Sequence, residues 1–181
     1  MSSILKVNTI QDGGGNAIIT SDGSGNFTMT NGKLTGQNYP AFHAFQNTHP
    51  GGSLTANTAT KVIFDSEYFD TDSAYNTSTG LFTVPSGKAG KYFAVSTISM
   101  QANLTNIQPL LYKNSGSSAT DVLRGTGVYN SAGSSSTVTG TFDLAVGDTL
   151  SVYVKQVHNQ PFEGVTDGRT ATYFLAYRIG A

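Results

Sequence analysis

Side chains able to do chemistry are few in this chain. His43, His49 and His158 are the only imidazoles, and cysteine is absent. No two of these histidines stand in the H-x-H or H-x-x-x-H spacing that turns both toward one metal ion. The densest run of carboxylates, Asp65, Glu67, Asp70 and Asp72, offers hard oxygen ligands of the kind that hold Ca²⁺. It lacks the ligand series of an EF-hand and reads as a solvated acidic loop. A serine nucleophile would need a G-x-S-x-G elbow to present its hydroxyl, and the chain has none. Two carboxylates such as Asp65 and Glu163 could flank a glycosidic bond, but no feature selects that pair. The runs "DGGGN" and "GSGN" lack the Lys-Ser/Thr of a phosphate loop and precede no helical pattern, so they read as turns. The expectation is a protein that is not an enzyme, with no catalytic residues, no cofactor and no metal.

Partner classes are bounded by charge. Lys and Arg number 10 against 11 Asp and Glu, which leaves no basic field to attract phosphates, so nucleic acid is not an expected partner. No run approaches the roughly 20 apolar residues of a membrane span. The opening "MSSILKVNTIQ" has neither the cationic start nor the apolar stretch of a secretory signal. Synthesis in a cytoplasm without membrane insertion is expected.

The elements that must position any site are strands. Charged residues make up 12% of the chain, about half the usual share. Gly, Ser, Thr and Asn fill the difference, and Thr, Tyr, Phe and Val lie between Gly and Asn turns, a β composition. The 181 residues divide near Pro40 into an N-terminal segment, 1–39, and a body, 40–181. In the segment, "ILKV", "AIIT" and "NFTMT" are separated by Gly, Asn and Asp turns. Strands this short do not stand as an isolated sheet in water. Either they lean on other copies in a β-stalk, or they plug into a larger particle through apolar residues such as Ile4, Leu5, Val7 and Ile10, or the segment is an extended Gly-rich arm.

The body carries nine strand-like stretches: "AFHAFQ", "KVIFD", "LFTVP", "KYFAVSTISMQA", "PLLYKN", "DVLRG", "TVTGTFDLAV", "DTLSVYVKQV" and "ATYFLAYRI". Their spacing suits two stacked antiparallel sheets. "DTLSVYVKQV" alternates Leu150, Val152 and Val154 with Ser151, Tyr153 and Lys155, as a strand with one wet face does. The last stretch differs, with Tyr173, Leu175, Tyr177 and Ile179 on one face and Phe174 and Ala176 on the other. A strand apolar on both faces is covered on both, and a sibling chain is the preferred second cover.

In order along the body, "PAFHAFQN", "NTSTGLFTVPSGKAGKYFAVSTISM", "LLYKNS", "FDLAVGDTLSVYV" and "TYFLAYRIG" resemble the strands of the C1q and tumour-necrosis-factor-like jelly-roll family. Asn76, Gly80, Phe82, Pro85, Gly90, Tyr92 and Phe93 match its core motif residue by residue. The resemblance implies a two-sheet antiparallel jelly roll that forms a homotrimer about a threefold axis, with Tyr173, Phe174, Leu175 and Tyr177 at the interface. The stretch "NQPFEGVTDGRTATYF" departs from the family's shorter approach to its last strand. Residues 1–39 carry no Gly-X-Y repeat, so collagen-type function does not transfer.

The opening "MSSILKVNTIQDGGGNAIITSDGSGNFT" resembles the N-terminus of tailed-phage virion fibre and decoration proteins. That implies a structural protein located in the virion and assembled in the host cytoplasm, its segment 1–39 contacting capsid or tail proteins. The alternative is an adhesin for a host-surface glycan or receptor, in which Phe162 and Tyr129 stack on a sugar while Asn159, Gln160 and Asp167 bind hydroxyls. A polysaccharide depolymerase is the remote reading.

Overall fold

The computed structural model describes residues 7–29, 39–48, 54–100, 105–114, 121–125, 128–129, 134–157 and 171–180. The chain divides into two compact units, Met1–Asn38 and Tyr39–Ala181.

The smaller unit holds a three-stranded antiparallel meander, β1 (Thr9–Gln11), β2 (Ala17–Ser21) and β3 (Phe27–Met29), in the order β1-β2-β3. Its two turns share one construction. Asp12 Oδ1 accepts the Gly14 and Asn16 amides at 2.9 Å each, while the Asn16 side chain donates to Asp12 Oδ2 at 3.1 Å. Ten residues on, Asp22 does the same for Ser24 and Asn26, and the Asn26 side chain donates at 2.7 Å. These bonds hold both carboxyls below the ordinary aspartate range. The run expected as strand "ILKV" meets the described residues only at Val7, which lies outside β1.

The body is a sandwich of two antiparallel sheets. One sheet contains β4 (Ala41–Phe45), β6 (Ser66–Asp70), β9 (Gly90–Met100), β13 (Ser134–Leu144) and β15 (Tyr173–Gly180), in the order β13-β9-β15-β4-β6. The other contains β7 (Tyr75–Asn76), β8 (Leu81–Thr83), β10 (Thr105–Lys113), β11 (Asp121–Arg124) and β14 (Thr149–Lys155), in the order β11-β10-β14-β8-β7. Here β12 (Val128–Tyr129) pairs with β10, and β5 (Thr60–Lys61) pairs with β14.

Alternate residues of both sheets meet in the core, where Phe42 sits at the centre of a ring cluster. Its ring lies 4.9 Å from Tyr75, 5.0 Å from Phe82 and 4.9 Å from Phe174. Stacked and edge-on aromatic pairs at such spacing add to the area they bury. Asn76 turns the chain between β7 and β8, its side-chain oxygen accepting the Ser78 and Thr79 amides. Gly80 closes that turn at φ 66°, and a Cβ there would lie 2.7 Å from the Val62 carbonyl. Both its conformation and the close approach require glycine.

Several expectations are corrected. "KVIFD" is not a continuous strand: after Thr60–Lys61 the chain leaves the ladder apart from Val62 N–H donating to Val152 at 2.9 Å, while Val62 and Phe64 stay buried. The acidic run is not a loop throughout, because Ser66–Asp70 is edge strand β6. Ser151 is not wet but fully buried.

Candidate assembly face

The outer surface of the five-stranded sheet is built by strand register. Residues directly opposite one another across a ladder share a face, which gives three rows. One runs Thr137, Thr97, Tyr173, Phe45, Ser66; the next runs Thr139, Val95, Leu175, His43, Phe69; the third runs Thr141, Phe93, Tyr177, Ala41. No Asp, Glu, Lys or Arg interrupts these three rows, and the next row along the same face holds exposed Asp143 opposite Lys91.

Tyr68 and Phe69 on β6 are 59% and 50% exposed, and Tyr177 and Ile179 on β15 are 43% and 50% exposed. The rings touch one another: Phe45 stacks on Tyr68 at 4.4 Å, His43 meets Tyr68 at 4.9 Å and Tyr173 at 5.5 Å, and Phe93 meets Tyr177 at 5.5 Å. Across the sheet the Thr97 and Thr137 hydroxyls bond at 2.8 Å. The five strands span about 19 Å across, and the face runs about 34 Å along β9 and β13 but only about 15 Å along β4 and β6.

His43 lies inside this aromatic cluster. Its Nε2 is buried and has no hydrogen-bond partner, and burial holds the imidazole below the ordinary histidine range.

Of the residues expected at a threefold contact, Tyr173, Leu175 and Tyr177 lie on this face. Phe174 does not. It is fully buried between the sheets against Phe42, Phe64 and Tyr75, since neighbouring side chains on a strand point to opposite faces. The polar residues on its side make contacts of their own. Thr172 exchanges hydrogen bonds with the Ser99 backbone, and Arg178 donates to the Ala89 carbonyl at 2.7 Å. Sequence reasoning missed His43, Phe45, Tyr68, Phe69 and Phe93 as members of the face. The available signal was the alternation of "AFHAF", which places Ala41, His43 and Phe45 together.

The remaining sequence-selected residues are placed as follows. Val7 and Ile10 are each 48% exposed, in the meander unit. Ile4 and Leu5 lie outside the described residues, as do Asn159, Gln160, Phe162, Asp167, His49, His158 and Glu163. Tyr129 pairs through its backbone with Thr105. The acidic run does not converge. Asp65 accepts from Asn47 and Thr48, while Asp70 accepts the Asp72 and Tyr75 amides. Among the described residues no three of His, Asp or Glu cluster as a metal site, and no helix is long and apolar enough to cross a membrane.

Two antiparallel sheets closed over this core, with one apolar outer face, define a jelly-roll sandwich of the C1q and tumour-necrosis-factor type. Solved structures share it. Murine APRIL has a TM-score of 0.57 at 13% identity, with 78% of this chain covering 100% of that one. The TNF protein Eiger of S. frugiperda has 0.57 at 14%, covering 78% and 93%. The globular domain of zebrafish complement 1qA has 0.51 at 22%, covering 78% and 98%. No protein-family model and no curated protein matches the sequence.

Proposed function

We propose that this chain is a non-enzymatic structural protein of a virion: a homotrimeric jelly-roll knob held to a capsid or tail by its N-terminal segment. The observation that carries the assembly half is the run of three rows without a charged residue on the outer face of the five-stranded sheet, bounded at one end by Lys91 and Asp143. Its Tyr173, Leu175, Tyr177, Phe45, Phe69 and Phe93 are partly covered in the subunit, and covering what remains would contribute a fraction of the roughly 1.5 to 3 kcal/mol that full burial of an exposed apolar side chain supplies. A sheet face this apolar on a monomer is an association site or an aggregation hazard. A cyclic trimer covers it with identical chains.

The virion half is supported by the resemblance of the first thirty residues to phage fibre and decoration proteins. The meander suits the anchoring role, since Val7, Ile10, Ile18 and Phe27 are 41% to 69% exposed and want an apolar receptor. An adhesin that reads host glycans through the loop bearing Phe162 is the alternative, and the depolymerase reading draws no support from the described residues.

The decisive experiment is the native mass of the full chain by sedimentation. A trimer at micromolar concentration is expected, and a stable monomer would remove the assembly reading. Deleting residues 1–39 is expected to leave a trimer that no longer incorporates into particles. Incorporation of the truncated chain would remove the anchor.

A further inference from the structure

The outer surface of the other sheet has a different chemistry. Four strands place Lys61, Tyr153, Leu110 and Arg124 in one row. Two residues further along the same face, Lys155 stands opposite Gln108, and in the other direction Ser151 stands opposite Tyr112. The Tyr112 and Tyr153 rings meet at 4.6 Å with a tilt of 53°. Leu110 and Ser151, their neighbours on this face, are buried.

The two tyrosines are therefore half-exposed rings above buried Leu110 and Ser151, ringed by three cations. Three inter-strand steps separate Lys61 from Arg124, about 14 Å. Neither Lys61, Arg124 nor Lys155 has a carboxylate partner among the described residues. Burial alone, with no offsetting acid, holds the Lys61 ammonium below the ordinary lysine range. Beside Lys155 a cleft of about 150 Å³ is lined by Asn57, Gln108 and Gln156, which supply amide groups next to the charge.

Unpaired cations on a chain of net charge −1 are a local departure that calls for an anionic partner. The ring pair calls for a ligand with flat, partly apolar faces. Three separated charges around one platform do not make the continuous basic track that follows a nucleic-acid backbone. A sugar ring stacks on tyrosine, its hydroxyls suit amides, and its carboxylates suit lysine and arginine.

We infer that the Tyr112–Tyr153 platform, with Lys61, Arg124 and Lys155, is a binding site for an acidic polysaccharide of the uronate type. The site lies on a different face from the assembly contact and does not depend on it, because each subunit carries the whole constellation. If the five-stranded sheets do turn inward, this sheet remains available outside.

The test is calorimetric titration of the full chain with alginate oligosaccharides, with neutral dextran and single-stranded DNA as comparison ligands. Alginate is expected to bind with salt-sensitive affinity and dextran not to bind. Arg124→Gln and Lys155→Gln are each expected to weaken alginate about three- to fivefold, the effect of one exposed ionic contact, with unchanged melting temperatures. Tyr112→Leu is expected to weaken alginate while Tyr112→Phe retains it. Absence of alginate binding, or wild-type binding by the Arg124→Gln/Lys155→Gln double variant, overturns the site. So does DNA binding as tight as alginate combined with no loss in Tyr112→Leu, because the face would then be an unselective polyanion surface.

Discussion

The Asn114 side chain donates to Asp148 Oδ1 at 2.8 Å across 34 residues, while its own oxygen accepts the Thr149 amide at 2.8 Å. Asp148 also accepts the Ala145 amide at 2.9 Å and pairs with Lys113 at 3.1 Å. Two turns distant in sequence, at the ends of β10 and β13, are thus tied by one carboxylate. Burial works to raise the Asp148 pKa, but the Asn114, Ala145 and Lys113 contacts outweigh it and hold the group below the ordinary aspartate range. Asp148→Ala is expected to cost about 2 kcal/mol in urea unfolding, because it strips acceptors from several donors at once.

The sign of the accompanying pH dependence follows from that depression. The folded chain prefers Asp148 ionised, so the contribution is complete above the ordinary aspartate value and declines as pH falls through the lower folded value. Urea midpoints measured between pH 5 and pH 2 are expected to fall more steeply for the wild type than for Asp148→Asn.

Adjacent residues on β15 are expected to fail differently. Phe174→Ala opens a hole among Phe42, Phe64 and Tyr75 and should cost about 3 to 5 kcal/mol of subunit stability. Leu175→Ser and Tyr177→Ser should leave the subunit folded and abolish association, read by sedimentation. Association undiminished in both serine variants would place the copy contact elsewhere.

His43 makes the assembly face sensitive to acid. Its Nε2 is buried without a partner among Tyr68, Phe69 and Tyr173, so a copy packed over it favours the neutral ring. Association is expected to be unaffected at pH values above the lowered value His43 already has in the free subunit, which lies below the ordinary 6.5, and to weaken as pH falls through it. Sedimentation at pH 8 and pH 5.5 is expected to separate wild type from His43→Phe, which should associate equally at both.

Gly80→Ala meets two obstacles, the positive φ and the Val62 carbonyl at 2.7 Å. A loss of about 1 to 3 kcal/mol is expected. Gly87→Ala, with φ 73° but open space around it, should lose less. Equal melting temperatures for the two variants would mean that contact with Val62 is not limiting.

Long alternating strands were readable from sequence because burial on one face leaves a period of two. "KYFAVSTISMQA" and "DTLSVYVKQV" fall on β9 and β14 within a residue or two at each end. The motif residues were readable because each answers a local demand: Asn76 and Gly80 make a turn, Phe82 and Tyr92 fill the core, and the Tyr92 hydroxyl reaches the Lys88 carbonyl at 2.7 Å. Where both faces of β15 are apolar, alternation does not say which side meets the core, and Phe174 was placed with its neighbours for that reason. β6 was hidden because its acidic residues carry the signature of a loop while Tyr68 and Phe69 make the sheet edge. Val62 and Phe64 are buried without a ladder, so a strand-like sequence there reflected tertiary packing.

The paired Asp–Asn turns of the small meander set a rule for how this end of the molecule can change in length. Each ten-residue module reverses the chain, since neighbouring strands run antiparallel. Gaining or losing one module therefore sends the polypeptide out of the opposite end of the strands, whereas a change of two restores the exit direction. Natural variation in this region should accordingly come in steps of twenty residues.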